Sequence, residues 1–384
     1  MSVPLAMMGR MDVAVARAER LRSHRLSAPA ATLADVGAHM LAVQAQDFAG
    51  ARWALAVRTR GDPTVSDVDA AFDRGELVRS WTMRGTIHVI PARDLSWVLA
   101  LTGERQLRTA AGVHRAEGID EAEIARAETA TMAALAGGNR LTRDELFAVL
   151  EQAGISTRGQ RGYHVLVALS VRGVVCQGPV VARSDGPTRE QFIVRTDEWA
   201  TDAASPADPL AEMFVRYVAS HGPAGPRDFA WWAGLPLGVA RAAAEAASDR
   251  LRIVDAAPPA EGLDEGRTPT AVAEPVYLAA APAARRPGRA PRVLALPAFD
   301  EYYLPYADRT VPCAREALPR IGPGRNGMVR PILVADGEIV GVWTHSRAVG
   351  RHRDEPVPEL FAAGGAPADD VAAALSRYAR FLAA

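Results

Sequence analysis

The spacing of apolar residues predicts three short helices and a small sheet in the first hundred residues. After the helices, apolar and polar residues alternate as in a strand, and Gly85 interrupts the alternation before a second strand. The predicted elements are helices over residues 35–43, 52–58 and 65–74 and strands over 76–84 and 86–90. Three helices followed by a small sheet indicate a helix-turn-helix unit.

The same order of elements recurs twice along the chain. Thr142 stands three residues before Glu145, which is the spacing of a capping box, and starts a helix that ends near Gly154. Another helix and two strands joined by a charged loop follow, as in a winged helix. A third unit begins after a Pro- and Asp-rich break at residues 205–209. The further predicted elements are helices over 160–172, 210–220, 227–234 and 237–247 and strands over 174–177, 191–195 and 251–254.

The last third of the chain is richer in strand patterns. Asp336-Gly337 between two apolar runs is a hairpin signal. The predicted strands are 276–279, 292–296, 328–334 and 338–343, and a helix over 368–382 follows them. We therefore predict an α+β protein with three tandem winged-helix domains and a small C-terminal β-barrel or sheet domain. The predicted boundaries are 1–115, 116–204, 205–256 and 257–384.

The amino-acid composition excludes several classes of catalytic and metal site. The net charge of −1 gives no global attraction to a polyanion, but residues 281–330 hold nine arginines against four acids. All 44 basic residues are arginine, which excludes Schiff-base chemistry from a lysine and a P-loop lysine. Cys176 and Cys313 are too few for a disulfide framework or a zinc site. No run of eighteen apolar residues and no leader pattern occurs, so we expect a soluble, non-exported protein.

Five groups of short strings, in order over residues 30–350, resemble the AlkZ-like family of bacterial DNA glycosylases. They are VQAQD at 43–47, RSWTMRGTIH at 79–88, SHGP at 220–223 with DFAWW at 228–232, LPAFDEYYL at 296–304 with Asp308-Arg309, and NGMVRP at 326–331 before GVW at 341–343. This resemblance implies winged-helix proteins that excise bulky or crosslinked alkylated purines. It also implies a C-shaped arrangement of three winged helices with a small β-barrel, and a catalytic Gln-x-Gln motif on Gln44 and Gln46.

The motif and the implied substrate agree chemically. Cutting an N-glycosidic bond passes through an oxocarbenium-like transition state, which most such enzymes stabilise with a carboxylate. Glutamine cannot accept a proton, but its amide oxygen can orient a water, which suffices when a cationic alkylated purine leaves as a neutral base. Two alternatives stay open. In the first, Asp47 rather than Gln46 supplies the second oxygen, as in the family's Gln-x-Asp branch. In the second, the two glutamines have no catalytic role and only end a helix and bind its backbone.

Further residues are candidates for contacts to DNA or for support of the site. The predicted DNA-binding residues are Arg52, Thr82, Arg84, His88, Arg309, Arg325 and Arg330. The predicted supporting residues are Trp53, Trp81, Asp300 and Glu301. For His88 a place in the core is the alternative, and for Asp300 an ion pair with Arg309. We expect Trp231 and Trp232 to lie in the core of the third winged helix.

The sequence therefore predicts a monofunctional DNA glycosylase without metal or cofactor. With no lysine, no side-chain amine can attack the sugar for β-elimination. We expect a bacterial, cytoplasmic monomer that acts at the nucleoid on duplex DNA carrying alkylated purines, with self-resistance to an alkylating natural product as one role. Because a large adduct does not fit a closed pocket, we expect an open channel. The alternative is a non-catalytic winged-helix regulator, for which the chain offers no recognisable effector module.

Overall fold

A computed structural model describes residues 11–182, 188–257, 274–280, 291–325, 327–344 and 355–383. The described residues form an α+β fold, as predicted, in which all the sheets are antiparallel. The α-helices are α1 Val13–Ser23, α2 Leu33–Met40, α3 Phe48–Val57, α4 Val65–Asp73, α5 Leu95–Ala116, α6 Glu121–Ala134, α7 Arg143–Gln152, α8 Arg161–Val171, α9 Thr196–Trp199, α10 Pro209–His221, α11 Pro226–Ala233, α12 Leu237–Ala246, α13 Leu318–Ile321 and α14 Ala368–Ala383. The strands are β1 Val43–Gln44, β2 Leu77–Met83, β3 Thr86–Pro91, β4 Val175–Val180, β5 Gln191–Arg195, β6 Leu251–Ala257, β7 Glu274–Ala279, β8 Val293–Leu296, β9 Ile332–Ala335, β10 Glu338–Thr344 and β11 Val357–Leu360.

The chain divides into two compact units. The first comprises Ala30–Pro209 with Arg380–Ala384, and we call it the Gln-motif unit because it contains Gln44 and Gln46. The second comprises Met1–Pro29 with Leu210–Ala379, and we call it the C-terminal unit. In the part of the chain that the structure describes, no helix is long and apolar enough to cross a membrane.

The Gln-motif unit is built around one five-stranded sheet of order β1-β3-β2-β4-β5. It joins two hairpins, β2–β3 and β4–β5, which the sequence assigns to separate winged helices. The register between β2 and β4 contains one pair, Arg79 opposite Gln177. Beside the sheet, an apolar core forms where Trp81 and Ile87 pack with buried residues of α6, α7 and α8.

Local sequence signals explain where several helices of this unit begin and end. Capping boxes start α2 at Thr32, α4 at Thr64 and, as predicted, α7 at Thr142. The prediction that the first helix runs to residue 43 is wrong. Leu41 adopts a left-handed φ of 61°, which ends α2 at Met40, and the next residues enter the sheet as β1.

The C-terminal unit contains a helical part and a second antiparallel sheet. Helices α10, α11 and α12 precede the β6–β7 hairpin, so the strand predicted at 276–279 pairs with β6 rather than with the C-terminal strands. Strands β8 to β11 form a four-stranded sheet of order β11-β10-β9-β8. Its β9–β10 turn confirms the Asp-Gly signal, because Asp336 and Gly337 both have positive φ, 47° and 84°.

Helix α1 packs within the C-terminal unit, although it lies at the opposite end of the sequence. Arg17 forms an ion pair with Glu338, with Nη1 and Oε2 2.8 Å apart. The Nε2 atom of His24 lies 2.7 Å from the phenol oxygen of Tyr306, and both side chains are buried. The unit is therefore discontinuous in sequence.

Candidate active site

The short strand β1 places the first glutamine of the motif against the sheet. Gln44 lies opposite His88 of β3, and the amide of Ala45 donates to the carbonyl of Ile87 at 2.8 Å. Gln44 is 7% exposed and Ala45 is fully buried, whereas Gln46 is exposed in the bend before α3. The two motif side chains therefore differ in environment: one is fixed in the sheet, and the other faces solvent.

The turn of the β2–β3 hairpin orients the amide of Gln44. Arg84 and Gly85 both have positive φ, 55° and 68°, as a two-residue hairpin turn requires. From this turn Arg84 Nη2 donates to Gln44 Oε1 at 2.8 Å. An amide oxygen has two lone pairs and can accept two hydrogen bonds, and one of the donors to Gln44 Oε1 is this guanidinium.

Thr82 of β2 and His88 of β3 belong to this hairpin, and both side chains are fully buried. Thr82 Oγ1 is 3.0 Å from His88 Nδ1, which links β2 to β3. The Thr82 carbonyl accepts from Gln106 Nε2 at 2.8 Å, and Gln106 Oε1 accepts from the amide of Gly85 at 3.2 Å. Thr82 and His88 were expected to contact DNA, but both side chains are fully buried and join the two strands of the hairpin from inside.

Arg52 is also placed differently from its predicted role. It is 1% exposed, forms an ion pair with Asp69 at 2.6 Å and donates through Nη1 to the carbonyl of Thr188 at 2.6 Å. Burial lowers the pKa of Arg52 and raises that of Asp69 to about 6, although Arg52 opposes the second shift. The Arg52 guanidinium therefore connects α3 to Asp69 of α4 and to Thr188, and it is not exposed for contact with a phosphate.

The remaining candidates of this unit are Asp47 and the two tryptophans Trp53 and Trp81. Asp47 is half-buried at the N-cap position of α3, where its side chain makes no capping hydrogen bond. The two tryptophans that the sequence offers as supporting residues are both buried. Trp53 packs on Phe381, with ring centroids 5.2 Å apart, and Trp81 meets the edge of Tyr163 at 5.8 Å.

Arg79, the first residue of the RSWTMRGTIH string, has a place beside the motif that residue type alone does not reveal. Its Nε donates to the carbonyl of Ala45 at 3.1 Å, between the two glutamines of the motif. Its Nη1 donates to Gln177 Oε1 at 2.8 Å and approaches Gln191 Oε1 at 3.5 Å. Burial and then the charge of Arg52 lower the pKa of Arg79 to about 10, so it stays charged at neutral pH.

The C-terminal unit contains the two carboxylates that the sequence offers as supporting residues. Asp300 and Glu301 are buried, and Glu301 Oε2 accepts from Trp232 Nε1 at 3.2 Å and lies 3.2 Å from His221 Nε2. Asp300 Oδ1 accepts from the amide of Tyr302 at 2.8 Å. The SHGP, DFAWW and LPAFDEYYL strings therefore each contribute one side chain, His221, Trp232 or Glu301, to a buried polar cluster.

The predicted arginines of this unit fall into different environments. Arg309 lies over the rings of Trp231 and Tyr303, 5.3 and 5.2 Å from their centroids. Arg325 is exposed, and Arg330 pairs with Glu359 at 2.7 Å. Three further arginines of the basic stretch, at positions 285, 286 and 289, lie outside the described residues.

The two adjacent tryptophans of α11 do not share one environment. Trp232 is fully buried, as predicted. The prediction that Trp231 lies in the core is wrong, because this side chain is 49% exposed and its Nε1 donates to the carbonyl of Leu304. Across the described ranges, no group of three or more His, Cys, Asp or Glu side chains has an arrangement that could hold a metal ion.

Comparison with known proteins gives three consistent matches. The sequence model of the family described as DNA glycosylase AlkZ-like matches residues 38–381. An interstrand DNA cross-link repair glycosylase of Streptomyces sahachiroi is 26% identical over 324 residues, which cover 80% of this chain and 81% of that protein. The solved structure of Streptomyces sahachiroi DNA glycosylase AlkZ has the same fold, with a TM-score of 0.74, 23% identity and 98% of both chains covered.

Proposed function

The chain belongs to the AlkZ-like family of DNA glycosylases, and we propose from this premise that it hydrolyses the N-glycosidic bond of alkylated purines in duplex DNA through Gln44 and Gln46. The substrates we propose are N7-alkylguanine, bulky adducts and interstrand crosslinks. The tandem winged helices, the C shape, the monomeric state and action at the bacterial nucleoid remain part of this proposal. Family membership favours the glycosylase over a non-catalytic regulator.

One observation carries the choice of residues: the amide oxygen of Gln44 is oriented by Arg84, two positions before an exposed Gln46. A catalytic group must be held in place before the reaction, and the sheet pairing and the arginine do this for Gln44. Gln46 keeps an amide that substrate and water can reach. Asp47 stays the alternative source of the second oxygen, since it is half-buried next to Gln46.

The proposed hydrolysis of the N-glycosidic bond does not require a general base of high pKa. The bond between sugar C1′ and purine N9 breaks, and its electron pair neutralises the positive charge of the alkylated base. Water forms the new bond to C1′ and releases one proton to solvent, leaving an abasic site. In this scheme the Gln44 and Gln46 oxygens orient the water and face the positive sugar, which hydrogen bonding and dipoles stabilise.

The test uses duplex oligonucleotides with a single N7-methylguanine, a bulky N7 adduct or an N7-linked interstrand crosslink. Strand cleavage after hot alkali reports base release, and the assay contains EDTA because we expect no metal requirement. Gln44→Ala and Gln46→Ala should each lower the single-turnover rate about 100-fold. Asp47→Asn, run beside them, decides whether the carboxylate contributes.

Gln152→Ala is the matched control, because Gln152 is exposed at the end of α7. This variant should release base at the wild-type rate. Tight duplex binding by the wild type without release from any of the three lesions would overturn the proposed substrates. Full activity of both motif variants would overturn the assignment of the glutamines, and the relative rates on the three lesions identify the preferred class.

A further inference from the structure

We infer that Arg79 is a positioning residue for the Gln-x-Gln motif, which sets the peptide between the two glutamines and connects it to the β4–β5 hairpin. The inference rests on the proposed function, because it assumes that Gln46 acts in base release. Arg79 acts through the carbonyl of Ala45.

The peptide groups on both sides of Ala45 are held by hydrogen bonds. Its amide donates to Ile87 of β3 at 2.8 Å, and its carbonyl accepts from Arg79 Nε at 3.1 Å. The carbonyl of Ala45 belongs to the peptide that leads into Gln46, so its orientation governs the direction in which the exposed Gln46 departs from the sheet. Arg79 therefore fixes the peptide that precedes Gln46, a residue that lies outside the strands of the sheet.

Arg79 also lies where the two hairpins of the sheet meet. It forms the single registered pair between β2 and β4 with Gln177, and its Nη1 donates to the amide oxygen of the same residue at 2.8 Å. Gln191 of β5 lies 3.5 Å from the same nitrogen. One guanidinium thus reaches the end of β1 and the β4–β5 hairpin, and its planar fork suits several acceptors at fixed angles.

The charge of Arg79 argues against a purely structural role. Its acceptors are one backbone carbonyl and two side-chain amides, which are all uncharged, and Arg52 lies over the same Phe48 ring at 4.0 Å, with Arg79 at 4.8 Å. Burying a cation among neutral acceptors beside a second cation costs free energy. The charge of Asp47 offsets this cost only in part, because the pKa of Arg79 is still lowered, and such costs concentrate at functional sites. An uncharged side chain would occupy the junction of the two hairpins at a lower cost in free energy.

The experiment combines Arg79→Met with Gln46→Ala in a double-variant cycle, measured as single-turnover base release at saturating enzyme. Arg79→Met should lower the rate about 10- to 100-fold with duplex affinity unchanged, because displacement of a catalytic group by about 1 Å has that effect. In the double variant the loss should equal that of Gln46→Ala alone, because Arg79 acts through Gln46. Arg79→Lys should not restore the rate, since an ammonium lacks the planar fork.

Arg74→Met is the matched control, because Arg74 precedes the same hairpin and pairs at the surface with Glu76. Additive losses in the double variant, full rescue by Arg79→Lys, or a change in duplex affinity alone would each overturn the inference. Hydrogen–deuterium exchange of residues 43–48 gives a readout independent of catalysis and should be faster in Arg79→Met only. If the wild type releases no base, the proposed function fails, while unchanged exchange in Arg79→Met specifically overturns the positioning role.

Discussion

The buried ion pair between Arg52 and Asp69 makes a prediction that separates a structural arginine from a DNA contact. Replacing Arg52 with Met keeps most of the apolar volume and removes the charge. The variant should unfold more easily, and the loss should grow as the pH rises. If Arg52 instead contacts phosphate, the variant should lose duplex affinity and keep its stability.

The size of this effect follows from the pKa of Asp69. Burial raises it from 3.8 to about 6 with Arg52 present, so holding Asp69 ionised in the fold costs about 3 kcal/mol at about 1.4 kcal/mol per unit. Because the pKa of Asp69 is raised in the folded state, its contribution to the free energy of unfolding is fully present below pH 3.8 and is lost as the pH rises through about 6. Without Arg52 the pKa rises further, and Asp69 stays protonated at a cost of up to about 6 kcal/mol at pH 8.

The difference between wild type and Arg52→Met is therefore near zero at pH 5 and up to about 3 kcal/mol at pH 8, apart from a constant loss of about 1 kcal/mol for the bond to Thr188. Urea unfolding at pH 5, 6, 7 and 8 measures it. The control is Arg52→Met combined with Asp69→Asn, which should remove the pH dependence. A loss that is equal at all four pH values would refute this account of the pair.

Four other substitutions follow from single contacts or backbone angles. Arg84→Met frees the amide of Gln44 and should slow single-turnover base release about tenfold, whereas weaker duplex binding at an unchanged rate would identify a phosphate contact instead. Gly85→Ala meets no atom within 4 Å, so its cost should be the backbone cost alone, about 1 kcal/mol by urea unfolding; no loss would contradict the positive φ. Trp232→Ala should cost about 3–5 kcal/mol and Trp231→Ala less than about 1 kcal/mol in the same assay, and equal losses would contradict their different burial.

Signals confined to a few neighbouring residues could be read from the sequence. The capping box at Thr142 and the Asp336-Gly337 turn were both predicted and are both present, because each depends on groups within four residues. The sequence pattern does not predict the 22-residue helix α5, since its large apolar residues gather in the first two turns and the second half has only Leu107 and Val113. Its helical state depends on packing against β2 and α8, which the sequence does not display.

The candidate site, too, depends on contacts between distant residues that the sequence alone does not reveal. Resemblance gave Gln44 and Gln46, but it could not tell that Gln44 enters a strand, because that depends on one positive φ at Leu41 and on pairing with β3. Nor could residue type separate the arginines. Arg52 is buried on a carboxylate, Arg79 bonds uncharged oxygens, and Arg325 is exposed, although all three have the same chemistry. Burial comes from contacts between residues more than a hundred positions apart, as for Arg52 and Thr188.

The place of α1 in the C-terminal unit determines the order in which the protein can mature on the ribosome. His24 meets its partner Tyr306 only after 282 further residues have been added. At about 5–20 residues per second, this delay amounts to about 15–60 s. During this time the strands of the Gln-motif sheet have all been synthesised, whereas α1 waits without the side chains that it finally contacts. Assembly of the C-terminal unit therefore comes later than synthesis of the Gln-motif sheet, because α1 precedes that sheet in the chain and its partners follow it.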